Sequence, residues 1–455
     1  MKTNDQTLVT NPGLERSIAI DSSAGSLNIP ANTYRVGSIT QQDWLNQVGR
    51  SPDVVSIDDS LHASRTEWIN QLTNSNQNGG LKSSDQAVLA GDQIQPHDQP
   101  APTSAKGDAF GGATATNSTA AKGDNNIDGL LIGTQWASTS VSYSFTDTFD
   151  FRWTVFPIAF DYTDYEAGYS QAAIHDASFQ MFNATQQVAA RDWIATAGEY
   201  FNVSMLSPND LTGASDRDAT IRMAMSSDPG TAYGYYPGGS VGAGDIWVNN
   251  GGTYNNPIIG TYAYHTIGHE LGHALGLKHG HELGGVNNVA MNADRDSMEF
   301  SIMTYRSYIG GPLTGYSNEA GGYAQTLMMY DIAAIQHMYG AWFGYNEADT
   351  NYTFSTTTGE MFVNGIGQGT PYTNDIFRTI WDGNGIDTYD FSNYTTNLSI
   401  DLTPGGWTDV DTAGNFQAAY LGGGNYSRGE VFNALQYNGD ARSLIENAKG
   451  GVGND

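Results

Sequence analysis

The apolar positions of this chain recur at two different periods, and the dominant period changes along its length. Ala172, Ile174, Phe179, Phe182, Val188, Trp193, Ile194 and Ala197 recur at helical spacing and predict one long buried helix over residues 170–200. The pattern predicts further helices over 261–276 and 324–339. VSYSFTDTF (141–149) alternates as a half-buried strand does, and TIRMAM (220–225) and GDIWVNN (244–250) also read as strands. This mixture is α+β in type. After about residue 345 no long helical pattern remains. Short apolar runs such as LSIDL (398–402) alternate with Gly, Asn and Asp, as expected of an all-β region.

The N-terminal part reads differently. Thr40 followed by Asp43, just ahead of Trp44 and Leu45, has the form of a helix-capping box, and Leu61, Trp68, Ile69 and Leu72 fit a second helix. Residues 73–125 are rich in Gly, Ser, Thr, Ala, Asn and Pro, too poor in apolar surface to order themselves, and read as a flexible linker. The expected organisation is therefore a helical segment over 1–72, a linker over 73–125, an α+β domain over 126–345 and an all-β domain over 346–455.

Charge narrows the partners. With 19 basic and 48 acidic residues the formal net charge is -29, which excludes a grip on nucleic-acid phosphates and repels anionic membranes. The acidity suits calcium, whose ligands are carboxylate and carbonyl oxygens, although it also serves solubility alone. No apolar run is long enough to span a membrane. The opening MKTNDQTLVTNPGLERS lacks the apolar stretch of a secretory signal peptide, and the chain has no Cys to bind metal or form disulfides.

Five of the nine histidines fall between 265 and 281, around the string HELGHALGLKH. His269 and His273 stand four residues apart, which on a helix puts both imidazoles on one face. Glu270 is placed to reach a water beside the metal, where it could take a proton as the water attacks a carbonyl. Gly276, three residues after His273, can adopt the left-handed conformation that ends a helix and lets His279 return as a third ligand. Three ligands, a base and a turn glycine at this spacing form the extended zinc motif H-E-x-x-H-x-x-G-x-x-H. Ordinary core histidines would not reproduce that spacing. A structural zinc site would close with a fourth ligand, usually Cys.

Downstream, SIMTY (301–305) has Met303 with Tyr305 two residues later. TLMMYDIAAIQHMYGA (326–341), AYGYYPG (232–238), GDIWVNN, IWDGNGIDTYDFS (380–392) and LIENAKGGVGND (444–455) complete a resemblance to the serralysins over roughly residues 126–455. The resemblance implies a metzincin catalytic domain followed by a parallel β-roll or sandwich with RTX repeats. It also implies zinc and calcium as cofactors and protein or peptide substrates. Secretion would follow a type I route without an N-terminal signal. It makes Met303 the support beneath the zinc and Tyr305 a further, switchable zinc ligand. The strand with Ile246, Trp247 and Val248 would offer an edge to an extended substrate. Asp382, Gly385, Asp387 and Glu446 match calcium-binding positions, with Asn384 standing where relatives often have Gly. Gly450, Gly451, Gly453 and Asp455 form one half-turn of a G-G-x-G-x-D repeat, expected to be a weak or empty site by itself. Residues 1–125 are expected to be an inhibitory prosegment, with Asp43, Asp58, Asp59, His62 or His97 as the blocking ligand. Two other functions compete: a calcium-dependent surface or matrix protein with an inert metal site, and an amidase using the same zinc chemistry. The retained Glu270 weighs against the first, and a strand edge for peptides against the second.

Overall fold

The computed structural model describes residues 115–146, 178–206, 219–239 and 242–455, together with the backbone of two short strands near the N-terminus. Those two strands, β1 (Thr7–Val9) and β2 (Ile18–Ile20), pair antiparallel. They lie within the segment expected to be mostly helical. The helices expected around residues 40–45 and 61–72, and all five candidate blocking residues, lie outside the described residues.

The linker ends earlier than its composition suggests. Strand β3 (Thr116–Ser118) is followed by a short helix, α1 (Asn125–Asp128), and by β4 (Thr134–Trp136), which pairs antiparallel with β3. Asp124 caps α1, and the Asp128 carboxylate accepts the Lys122 and Gly123 amides. Local capping and strand pairing thus order residues 115–125 although they are polar.

The central sheet comes next. Its strands are β5 (Ser140–Phe145), β6 (Ser204–Leu206), β7 (Ile221–Ser226), β8 (Ala232–Gly234) and β9 (Ile246–Asn249), in the spatial order β6-β5-β7-β9-β8. The first four in that order run parallel, and β8 is antiparallel to β9. Every residue of β7 is buried, as suits a strand covered on both faces. A bidentate pair between Arg222 on β7 and Asp245, at 2.7 Å, fixes the approach to β9. The sheet is therefore mixed and mostly parallel. Helix α2 (Ala184–Tyr200) lies on the connection from β5 to β6.

Of the helix expected over residues 170–200, residues 170–177 lie outside the described residues and α2 covers Ala184–Tyr200. Asn183 and Gln186 close a reciprocal capping box, and Gln180 is drawn into a bridge with Met225 of the sheet. Phe179 and Phe182, expected on the helix, precede it. Helix α3 (Tyr262–Leu275) is capped by Thr261 and packs across α2, where the Trp193 indole donates to the Tyr264 carbonyl at 2.8 Å. Gly268 makes this approach feasible, because a Cβ there would lie 2.5 Å from the Trp193 ring. Helix α4 (Met329–Tyr339) is shorter than the 324–339 pattern. Residues 325 and 326 are engaged with the β region instead, the Gln325 amide donating to the Phe377 carbonyl.

The C-terminal strands are β10 (Asn351–Phe354), β11 (Met361–Val363), β12 (Ile366–Gly367), β13 (Arg378–Ile380), β14 (Thr388–Asp390), β15 (Ser399–Ile400), β16 (Trp407–Asp409), β17 (Tyr420–Gly422), β18 (Asn425–Tyr426), β19 (Val431–Asn433) and β20 (Asn447–Lys449). One sheet has the order β12-β11-β10-β14-β20 and another β13-β19-β16-β15. Pairing is parallel from β10 through β14 to β20. A core of Tyr352, Phe354, Tyr389, Phe391, Val410 and Val431 draws on both sheets. Phe377, Trp381 and Phe432 join the larger core beneath the central sheet, so the all-β region shares apolar packing with the first domain. Among the described residues no helix is long and apolar enough to cross a membrane.

Replacing Gly268 with Ala is expected to destabilise the fold by about 1–3 kcal/mol, the usual size of overpacking against a rigid neighbour. Thermal unfolding checks this, and an unchanged Tm would show that Trp193 can give way.

Candidate metal centre

Helix α3 carries His269, Glu270 and His273 from one cap to the other. It stops at Gly276, whose φ of 110° and ψ of 13° are left-handed and whose amide returns to the His273 carbonyl. The chain then bridges back to Leu131 through Leu277, and the Lys278 amide donates to Leu130. The buried Lys278 ammonium donates to the Gly129 and Glu282 carbonyls, both at 2.6 Å, which clamps the loop that follows. This returns His279 to the helix.

The three imidazoles meet through their Nε2 atoms. His279 Nε2 lies 3.2 Å from that of His269 and 3.0 Å from that of His273. Each ring has an acceptor at its other nitrogen. His269 Nδ1 faces the Ile302 carbonyl at 2.8 Å, His273 Nδ1 the Leu277 carbonyl at 2.7 Å, and His279 Nδ1 the Glu282 carboxylate at 3.0 Å. These acceptors put the ring protons on Nδ1 and leave three Nε2 lone pairs converging, an arrangement that repels itself unless a cation sits among them. Among the described residues it is the one group of three or more His, Cys, Asp or Glu side chains brought this close. Three imidazoles without a thiolate suit zinc with an open coordination position.

Glu270 is buried beside this cage. One of its carboxylate oxygens accepts the Gly234 amide and the other, Oε2, has no hydrogen-bond partner. Burial pushes its carboxyl up to about 8, and the Gly234 amide works against that rise. A bound cation would oppose the rise further, because it favours the charged carboxylate. Tyr305 is buried with its ring 4.3 Å from that of His279. Met303 is fully buried beneath the helix, its sulfur 2.6 Å from where a Cβ on Gly272 would lie.

The strand expected to receive substrate is not an edge. Ile246, Trp247 and Val248 are buried, and β9 is paired on both sides, to β7 and to β8. The terminal strand on this side of the sheet is β8. Thr231 and Tyr235 bond back toward β9, so the backbone of Ala232 and Gly234 faces outward, and the Gly234 amide reaches Glu270. Strand pairing decides which of two adjacent apolar strands is the edge, and the sequence pattern does not show it.

The remaining predicted residues fall into two groups. Asp382, Gly385, Asp387 and Glu446 gather where β14 and β20 begin. The Glu446 carboxylate accepts the Asp387 amide at 2.8 Å, and the Gly385 backbone lies against Asp387 and the Ala348 carbonyl. Burial raises the Asp382 and Asp387 carboxyls, each near the other's charge, and Asp387 Oδ2 is buried with no partner. The Asn384 amide donates to Asp382. Gly450, Gly451, Gly453 and Asp455 lie beyond the opposite ends of those strands, against the Tyr394 and Thr396 carbonyls and the Leu398 amide.

Residues 343–420 match the family of the peptidase M10 serralysin C-terminal region. Serralysin G of Dickeya chrysanthemi is 31% identical over 291 residues, covering 61% of this chain and 54% of that protein. Serralysin C of the same organism is 35% identical over 231 residues, 49% of this chain and 42% of the relative. Metallopeptidase AprA of Pseudomonas marginalis is 31% identical over 289 residues, 61% and 54% respectively. Over these spans the chain is similar to the serralysins. It spans about half the length of these curated relatives.

Sequence reasoning missed Glu282 and the Ile302 and Leu277 carbonyls; it named 232–238 within the resemblance but gave the edge to 244–250. Glu282 was findable, since a carboxylate three residues after a ligand His is placed to accept its second ring proton. Glu282→Ala should weaken zinc binding about 10–100-fold, the usual cost of losing a partner behind a ligand. Chelator competition measures it, and an unchanged affinity would remove Glu282 from the centre.

Proposed function

We propose that this chain is a secreted, zinc-dependent endopeptidase that cleaves peptide bonds in proteins with Glu270 as general base. The observation that carries the reading is the convergence of the His269, His273 and His279 Nε2 atoms beside a buried carboxylate whose Oε2 has no partner. The likeness to serralysins supports the reaction class and the extracellular setting.

Zinc held by the three histidines would supply Lewis acidity to a substrate carbonyl and make a water easier to deprotonate. Glu270 takes that proton at Oε2 while the Gly234 amide holds its other oxygen in place, then returns the proton to the departing amine. Tyr305, beside His279, serves as an additional ligand or as a donor to the oxygen that gains charge. An extended peptide adds to the outward edge of β8, which aligns its backbone with Glu270.

Calcium belongs to the same reading. Asp382, Asp387 and Glu446 with nearby backbone oxygens form a hard-cation donor set, and Gly451, Gly453 and Asp455 contribute part of another. The first set fits a cation because two raised carboxyls and an unpartnered buried oxygen sit together there.

Casein hydrolysis by the zinc- and calcium-loaded chain should fall at least ~10²-fold in Glu270→Ala, with zinc still bound. Equal activity in the two proteins would place the reaction elsewhere. Calcium at 100 times its Kd should stabilise the chain by about 2.7 kcal/mol, and Asp387→Asn should abolish most of that gain. A Tm that ignores calcium would rule the site out.

A further inference from the structure

Helix α4 is linked to the metal centre through the turn at 301–303. Its Asp331 is completely buried, and among the described residues no basic side chain pairs with it. A residue three positions into a helix commonly accepts the capping residue's amide, and Asp331 does this with the Met328 amide at 2.9 Å. That duty needs one acceptor, and a neutral side chain could perform it. Asp331 does more. Its Oδ1 accepts the Ser301 hydroxyl at 2.6 Å, and its Oδ2 also accepts the Ile302 amide at 2.8 Å. Ser301 Oγ in turn accepts the Met303 amide at 3.0 Å. The carbonyl of the same Ile302 residue faces His269 Nδ1.

We infer that Asp331 is a positioning residue for the metal centre: it fixes the turn at 301–303, and the Ile302 carbonyl then sets the orientation and tautomer of the His269 imidazole. The inference rests on the zinc reading above. An uncompensated buried carboxylate is costly, and one that only capped a helix would be a poor use of that cost. Holding three donors from two segments explains why a carboxyl group stands there, since hydrogen bonds to a carboxylate are the stronger kind and work against the rise that burial imposes on it. Asp331 is 29 residues from Ile302 and 62 from His269 in sequence, so neither helix could set this geometry by itself.

The test uses the full chain and zinc itself, with affinity measured by chelator competition below the Tm of every protein compared. Asp331→Asn keeps the volume but turns a donor toward either the hydroxyl or the two amides. Its zinc Kd should rise about 10–100-fold. Ser301→Ala removes one link and should raise Kd about three- to tenfold, the effect of one hydrogen bond. Glu430→Gln, a buried carboxyl in the β region, is the reference: it changes Tm and leaves zinc affinity alone. The His269 Nδ1–H resonance should move in Asp331→Asn and stay put in Glu430→Gln. A zinc Kd within twofold of the parent in the folded variants would overturn the inference, and if Asp331→Asn does not fold, Ser301→Ala decides. Parent affinity that is indifferent to His273→Ala would instead overturn the zinc reading on which the inference stands.

Discussion

Three imidazole nitrogens aimed at one point repel one another, and the rest of the metal centre can be understood as what holds them there. The strain is bearable because each ring is gripped at its far nitrogen by an oxygen: two backbone carbonyls and one carboxylate. Each acceptor selects a tautomer, and together the three tautomers make a site that prefers a cation to vacuum or water. A donor set that is preformed in this way loses little entropy when an ion binds.

The grips come from three directions. Leu277 belongs to the turn that ends α3, Glu282 to the loop that Lys278 clamps onto Gly129, and Ile302 to a turn tied to α4 by Asp331. Beneath them, α3 is seated on α2 through Trp193 and on the sheet through β8. The first two histidines therefore belong to a helix that cannot rotate freely. Rigid elements under a site give more precise geometry than loops, and here only the third ligand sits on a loop.

The β region is fastened to the same place. Arg428 makes a bidentate pair with Glu299, and its guanidinium also stacks 4.7 Å over Phe300, immediately ahead of the turn at 301–303. Phe377, Trp381 and Phe432 enter the core of the first domain. The carboxyl cluster at the start of β14 thus belongs to a body continuous with the three histidines, so a cation held there, as proposed, would stabilise the scaffold of both.

The chemistry was legible in the sequence where it is local. The helical spacing of His269 and His273, the glycine that lets the chain turn, and His279 three residues beyond lie within eleven residues, so local backbone geometry makes their convergence legible. Sequence also indicated an all-β region after about residue 345 and the acidic residues at the start of β14. It placed the start of order at residue 126, because polar residues 115–125 are held by pairing with a strand that composition cannot foresee. Of the apolar strands at 232–234 and 246–249, the first is the edge and not the second, since both look alike in sequence until their neighbours are known. No local pattern in the sequence marks Asp331, Ile302 or Glu299. Their roles come from contacts across tens of residues, and only the tertiary structure decides which carbonyl faces which ring. The sequence by itself determined which atoms could bind a metal, because that depends on side-chain type and turn geometry. The fold decided how firmly they are aimed, because that depends on packing between segments far apart in the chain.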